Sequence, residues 1–407
     1  MKQRKFVIVI SIIIFSALIK CSNYEEPPLI YNPENLQFAP SPKISSIFPK
    51  DSARAGIREI LINGENFGTT SDNNTIVFVG GKIAEIKSLS SNQIIIYRPQ
   101  LELSKYNKPL DVVVSVQKAL ELAKVKNYKI NTPFEQYGDF TNYTYNLFAI
   151  EVDKQENLYI ATRRALLKYD GKEIVRVGGQ LPNDFSKVTD LKFGPGGYLY
   201  ALVSKNILYR LDPSTAAEEK YITLPKECDR LDFDRYNNIY TAKKDGLFIV
   251  KPDKSIINTN LYQGVIITDI RIFNDYLYIS SADNLWRHKI LDNNGTLGNQ
   301  ELVLNVKNQG TDFSRAAIGS ITFDKDGMML LAVKNHPDYS IFVLENDGSL
   351  TPYYKAKILP KFVDQIVWGN DYYLYLNRGI TLTRDSVRVF RMGMANTPAP
   401  YYGRNNL

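Results

Sequence analysis

Basic side chains recur in a series of short loops along this 407-residue chain. The loops are spaced by about 40 residues and each follows a hydrophobic segment, so a repeated structural unit would bring them to one surface. Several cations around a concave mouth attract an anionic ligand, and arginine and lysine pair with carboxylates, sulfates and phosphates. The alternative is that these cations only solubilise exposed hairpin loops. The candidate ligand-binding residues, with one aromatic among them, are Arg163, Arg164, Lys205, Lys243, Lys244, Lys334, His336, Tyr339 and Arg378.

Residue types suited to catalysis or metal binding are scarce. Two cysteines and two histidines exclude a disulfide framework and disfavour a Cys/His metal site. In one row of equivalent positions two aspartates flank Arg230, which is typical of a salt-bridged ring rather than of a calcium site with six or more oxygen ligands. We therefore predict a protein that is not an enzyme and has no cofactor and no metal. The row comprises Ala149, Asp190, Arg230, Asp269, Ser320 and Gln365.

A hairpin that recurs six times must position the basic loops. Its second strand begins with NLYIA, YLYAL, NIYTA, YLYIS, MLLA or YLYLN, with an apolar strand before it and a third strand after it. Several strands in each period of roughly 40 to 50 residues indicate a β-propeller. We predict six blades over residues 132–395 and a C-terminal tail at 396–407, with residues 133–145 supplying the outer strand of the last blade. Trp286 and Trp368 fall at blade-packing positions.

The segment before the repeats has a different pattern. Residues 43–131 contain short alternating strands separated by glycine and proline, which predicts an antiparallel β-sandwich of about 90 residues. The sequence PKISSIFP is followed by NGENFG and then by IVFVGG. These motifs resemble the IPT/TIG immunoglobulin-like domain, with Gly64, Phe67 and Gly68 in its turn. The resemblance implies an all-β protein in which an N-terminal immunoglobulin-like β-sandwich precedes a six-bladed β-propeller.

The start of the chain predicts export. A basic beginning precedes an apolar run at residues 6–19, which is shorter than the roughly 20 residues of a transmembrane helix and has the layout of a signal peptide. Cys21 follows, which resembles a bacterial lipoprotein signal, although Lys20 stands where that pattern has a small residue. The resemblance implies a signal peptide at 1–21, lipidation of Cys21 and a membrane anchor; the alternative is an ordinary signal peptide. Five prolines in residues 22–42 favour an extended tether.

The combination of these parts suggests where the protein works. The repeats resemble six-bladed NHL-type and lactonase-like propellers, and the whole arrangement resembles surface lipoproteins of Bacteroidota polysaccharide-utilisation systems. The resemblance implies a lipid-anchored, surface-exposed protein of the outer membrane that binds a polysaccharide or oligosaccharide, including anionic ones, for a neighbouring uptake system. A formal net charge of +7, from charges spread along the chain, does not predict nucleic-acid binding.

Two other functions stay open. The first is an accessory scaffold that docks on an outer-membrane transporter or another outer-membrane protein complex, and the second, less favoured, is a lactonase-like enzyme. An exposed aromatic ring beside the basic loops would favour a sugar-binding platform. A broad apolar patch would instead favour the scaffold, because stable protein interfaces bury about 800 Å² on each partner.

Overall fold

The computed structural model describes residues 37–69, 74–141, 146–162, 165–177, 188–203, 206–379 and 388–405. The predicted signal peptide and residues 22–36 of the predicted tether lie outside these ranges. Within these ranges, eight β-sheets make up most of the regular structure, and the helical elements are short 3-10 turns and one α-helix, α1 (Tyr402–Asn405), near the end of the chain. Within the described ranges, no helix has the length and apolar character needed to cross a membrane.

Nine strands form the N-terminal β-sandwich: β1 (Lys43–Phe48), β2 (Ser52–Ala53), β3 (Glu59–Glu65), β4 (Thr75–Val79), β5 (Lys82–Ala84), β6 (Ile86–Ser90), β7 (Gln93–Tyr97), β8 (Pro109–Val116) and β9 (Ala123–Ile130). They make two sheets, with the strand orders β1-β3-β7-β6 and β2-β9-β8-β4-β5. Alternate residues along a strand point to opposite faces. Ile94 and Ile96 of β7 are therefore buried, and they pack with Val77 and Val112 of the opposite sheet in one core.

Twenty-four strands form six four-stranded blades. The first three blades comprise β11 (Leu147–Val152), β12 (Leu158–Thr162), β13 (Leu166–Tyr169) and β14 (Ile174–Val177); β15 (Val188–Phe193), β16 (Leu199–Val203), β17 (Ile207–Leu211) and β18 (Glu218–Thr223); and β19 (Arg230–Phe233), β20 (Ile239–Ala242), β21 (Leu247–Val250) and β22 (Ile256–Asn258).

The other three blades comprise β23 (Ile267–Phe273), β24 (Tyr276–Ser281), β25 (Asn284–Lys289) and β26 (Glu301–Asn305); β27 (Ala317–Phe323), β28 (Met329–Lys334), β29 (Ile341–Leu344) and β30 (Leu350–Pro352); and β31 (Gln365–Trp368), β32 (Tyr373–Arg378), β33 (Arg388–Gly393) and β10 (Phe134–Gln136). β10 precedes the first blade in sequence but pairs with β33 of the last, so the ring closes with a strand from its other end. The predicted fold class is confirmed. Trp368 is fully buried between blades, and Trp286 packs against Tyr262.

The β-sandwich is fastened to the fifth and sixth blades. The main-chain N–H of Gly56 donates to Tyr354 Oη over 2.9 Å, and Tyr353 Oη donates to the Gly56 carbonyl over 3.0 Å. Arg58 Nη2 forms an ion pair of 3.3 Å with Glu345. The two bonds of Gly56 are buried and the ion pair is partly exposed, and together they hold the sandwich in one orientation on the propeller.

Candidate functional site: the loop face of the propeller

The propeller has two different ends. Within each blade the described neighbouring strands are antiparallel, so the loop between the second and third strands lies at the same end as the connection to the next blade. Hydrogen bonds join the two kinds of segment, for example from Asp364 N to the Asn377 carbonyl over 2.8 Å. We call this end the loop face and the opposite end the turn face. The predicted ligand-binding residues that the structure describes, Lys243, Lys244, Lys334, His336, Tyr339 and Arg378, belong to the loop face.

The C-terminal tail crosses the turn face. Asn396 Nδ2 donates to the Asp324 carboxylate over 3.0 Å in the fifth blade, and Arg404 donates to the carbonyls of Gly369 in the sixth and Val152 in the first over 2.9 and 3.0 Å. Tyr401 Oη lies 3.1 Å from the hydroxyl of Thr322 on an innermost strand. The tail therefore closes the turn-face end of the central channel with polar side chains.

The aspartates of the innermost strands join neighbouring blades. Asp190 accepts the main-chain N–H of Leu231 over 2.9 Å, and Asp269 accepts that of Ile321 over 2.7 Å. Burial raises the pKa of Asp190 to about 6, and the nearby positive charges of Lys192 and Arg230 oppose that rise. In the part of the chain that the structure describes, no group of three or more His, Cys, Asp or Glu side chains is arranged to hold a metal ion.

Arg230 does not act as the sequence predicts. The predicted ion pairs with Asp190 and Asp269 do not form, although the guanidinium charge still opposes the rise in the pKa of Asp190. Arg230 Nε donates to the Thr268 carbonyl over 2.6 Å and its Nη1 to the Thr189 carbonyl over 2.9 Å. Since both carbonyls belong to adjacent blades, Arg230 also links blades, but through the main chain rather than through an ion pair.

Four of the predicted ligand-binding residues lie together on the loop face of the fifth and sixth blades. Lys334 forms an ion pair of 3.0 Å with Asp364. His336 Nδ1 accepts the main-chain N–H of Tyr339 over 3.2 Å, and burial lowers the pKa of the His336 imidazole. Arg378 ends strand β32, and the carbonyl of the residue before it accepts the main-chain N–H of Asp364.

Phe362 is a neighbour of these residues that sequence reasoning missed. Its side chain is 61% exposed, and the Arg378 guanidinium carbon lies 5.8 Å from the ring centroid. Its φ of 64° is rare for a bulky residue, and backbone strain of this kind concentrates at functional sites. An aromatic residue in the connection between the fifth and sixth blades was the available signal. We call Lys334, His336, Tyr339, Phe362 and Arg378 the rim patch.

Cations outnumber carboxylates around the rim patch. Among the described loop-face residues of the fifth and sixth blades, Asp338 pairs with Lys357 over 2.6 Å and lies 3.9 Å from Lys361. The connection between the fifth and sixth blades, residues 353–364, carries three basic residues, Lys355, Lys357 and Lys361, against one carboxylate, Asp364. The local potential is therefore positive, which favours a negatively charged ligand.

The remaining candidates are distributed elsewhere. Lys243 of the third blade pairs with Glu227 over 3.1 Å and with Asp229 over 3.2 Å, whereas Lys244 beside it is exposed. The acids come from the connection between the second and third blades, which lies at the same end of the ring but is distant from Lys243 in the repeat pattern. Cys21 and the three cations Arg163, Arg164 and Lys205 lie outside the described residues.

Comparison with known proteins agrees with this architecture. Residues 42–131 match the IPT/TIG domain family, so the chain joins an IPT/TIG domain to a six-bladed propeller. Comparison with curated proteins gives no match.

Several solved structures have a similar fold. An auxiliary nutrient binding protein from Bacteroides thetaiotaomicron has 12% identity and a TM-score of 0.51, over 87% of this chain and 97% of that one. A structural genomics protein of unknown function from the same organism has 11% identity and a TM-score of 0.51, over 89% and 99%. A luciferin-regenerating enzyme has 14% identity and a TM-score of 0.50, over 63% and 94%. At such identities the likeness shows the fold alone, because one fold hosts many functions.

Proposed function

We propose that this protein is a non-catalytic accessory protein that binds a carbohydrate nutrient through the rim patch. The observation that carries the proposal is the exposed ring of Phe362 beside the Arg378 guanidinium. The apolar C–H face of a sugar packs on an aromatic ring. A guanidinium pairs with carboxylates or sulfates in two-point geometry, so an acidic glycan is the ligand class that this pair favours.

The fold and the sequence support a role in nutrient uptake. The similar structure from Bacteroides thetaiotaomicron is described as an auxiliary nutrient binding protein. In the same proposal, lipidated Cys21 anchors the protein at the outer cell surface, and the proline-rich residues 22–42 hold the folded part away from the membrane. A neighbouring outer-membrane transporter would receive the captured glycan.

The channel carboxylates favour binding over catalysis. A lactonase-like site needs carboxylate oxygens that are free to hold a cation and a substrate. Here both oxygens of Asp190 accept main-chain N–H groups, from Leu191 over 3.0 Å and from Leu231 over 2.9 Å. Asp269 is engaged in the same way, so these side chains stabilise the ring.

A scaffold role is the second candidate, and the outer face of the β-sandwich favours it. Ile76 and Ile83 are exposed there, and Ile83 lies opposite Phe78, which lies opposite Val113. This apolar row crosses three strands, and such patches are typical of protein contacts. Loss of co-purification with outer-membrane proteins after Ile83→Asp would support the scaffold.

Affinity electrophoresis tests the proposed function. The chain from residue 22 onward is run in native gels that contain neutral or acidic polysaccharides. We expect retardation by an acidic polysaccharide, and at least tenfold weaker binding, equal to about 1.4 kcal/mol, in the double variant Phe362→Ala/Arg378→Ala. Phe48→Ala is the matched control, because Phe48 is 66% exposed but lies on the β-sandwich. Unchanged retardation of the double variant would refute a site at the rim patch.

A further inference from the structure

A second concave surface lies between the two domains. The cleft has a volume of about 840 Å³ and runs between the β-sandwich and the last blade. Arg54 and Asn107 line it on the sandwich side, and Asp371, Tyr372 and Tyr373 line it on the propeller side. Its volume is in the range of small-molecule sites, about 300–1,000 Å³.

Two tyrosines give the cleft an aromatic wall. Tyr372 is 54% exposed, and Tyr373 beside it is also exposed. The Arg391 guanidinium carbon lies 4.2 Å from the Tyr373 ring centroid, and Arg391 Nε donates to Glu135 over 3.0 Å, so Arg391 holds that ring in place. Tyrosine combines an apolar face with a hydroxyl, which suits a ligand whose rings are apolar on their faces and polar at their edges.

The other side chains of the cleft supply hydrogen bonds. Asn107 Nδ2 donates to Thr132 Oγ1 over 2.8 Å and Asn107 Oδ1 accepts Thr132 N over 3.2 Å, which fixes the amide. Arg54 and Asp371 are exposed on opposite walls and can donate to and accept from hydroxyls.

The charges of the cleft balance. Two basic residues, Arg54 and Arg391, line it together with two acidic ones, Glu135 and Asp371. The cleft therefore lacks the positive excess of the rim patch, and a ligand without net charge fits it best.

The walls of the cleft are preformed. The bonds between Gly56 and the Tyr353–Tyr354 pair, with the Arg58–Glu345 ion pair, fasten the sandwich to the propeller next to the cleft. A site whose walls are already ordered loses less entropy when a ligand binds. Pro133, which also lines the cleft, stiffens the segment that connects the domains.

We propose that this interdomain cleft is a second binding site, and that it takes a neutral oligosaccharide stacked on Tyr372 with its hydroxyls bonded to Arg54, Asn107 and Asp371. The proposal goes beyond the rim patch, with which the cleft shares no residue. Two sites for glycans of different charge would let one protein hold a branched or mixed polysaccharide at two points and raise its avidity.

Titration calorimetry on the chain from residue 22 onward tests the cleft, with maltohexaose, cellohexaose, mannohexaose and xylohexaose as probes. We expect heat of binding from at least one probe. We also expect at least tenfold weaker binding of that probe in Tyr372→Ala and near-normal binding in Tyr372→Phe, which keeps the ring. Tyr236→Ala is the matched control, because Tyr236 is 40% exposed on a turn of the third blade.

The outcomes separate the two proposed sites. Loss of neutral-probe binding in Tyr372→Ala but not in Phe362→Ala/Arg378→Ala would support the cleft, whatever the rim patch does with acidic polysaccharides. No binding of any of the four probes, or unchanged binding in Tyr372→Ala, would overturn the cleft proposal. Melting temperatures of the variants within about 2 °C of the wild type would show that the folded state is intact, since the substituted ring is on the surface.

Discussion

Arg404, near the C-terminus, is expected to be one of the most important side chains for the stability of the propeller. It is 3% exposed, and its guanidinium lies 3.4 Å from the buried carboxylate of Glu151. It also donates to the carbonyls of Val152, Trp368 and Gly369 over 2.9 to 3.0 Å. One side chain of the tail thus neutralises a buried charge and joins the first and last blades.

The expected cost of losing this guanidinium follows from those contacts. In Arg404→Met, Glu151 keeps only the Lys192 ammonium at 3.7 Å as a cationic partner among the described residues, and three carbonyls lose a donor. Removal of one partner of a buried ion pair costs about 3–5 kcal/mol. At about 2–4 °C per kcal/mol for a domain of this size, Tm should fall by roughly 6–20 °C.

Differential scanning calorimetry and urea denaturation measure this loss. Arg287→Met is the matched control: Arg287 forms an ion pair of 2.7 Å with Glu301, but the two side chains are 39% and 50% exposed. A surface pair contributes about 0–1 kcal/mol, so the control should unfold close to the wild type. If the free energy of unfolding fell by less than about 1 kcal/mol in both variants, the contacts of Arg404 would not stabilise the closed ring.

Two further predictions concern the domain contact and the buried thiol. Gly56→Ala should destabilise the protein and increase cleavage between the domains in limited proteolysis, because a Cβ there would lie 2.2 Å from Ala395 N. Gly81→Ala is the control: Gly81 has a similar φ of 81° but no atom within 4 Å of the added Cβ, so this variant measures the cost of backbone strain alone. Burial raises the pKa of Cys228 to about 12, so the thiolate fraction at neutral pH is about a thousandfold lower than that of a free cysteine. In the chain from residue 22, Ellman's reagent should therefore detect no thiol in the native state and one thiol after denaturation.

Each of these predictions has an outcome that would contradict it. Equal destabilisation by Gly56→Ala and Gly81→Ala would mean that the close approach of Gly56 to the tail contributes nothing beyond strain. Rapid reaction of the native thiol would mean that Cys228 is not held in the core between the second and third blades, where it packs with Leu224 and Leu231.

The repeated pattern of the sequence was sufficient to predict the blades. Alternation along each strand and a recurring hairpin are properties of short segments, so they can be recognised without knowing which distant segments meet. For this reason the six four-stranded sheets, the closure of the ring by β10 and the burial of Trp368 agree with expectation. The IPT/TIG segment was recognisable because turn glycines and strand alternation are equally local.

Side-chain partners that are distant in sequence could not be predicted in this way. Three contacts depend on which segments meet after the ring closes. They are the ion pair of Lys334 with Asp364, the ion pair of Arg404 with Glu151 across 253 positions, and the contact of the exposed Phe362 ring with Arg378. Local periodicity encodes the repeated β-architecture, so the order of residues along the chain is enough to specify it. The pairing of the cations, the exposure of the rings and the position of the cleft between the domains follow from contacts between separate segments, which no local pattern encodes.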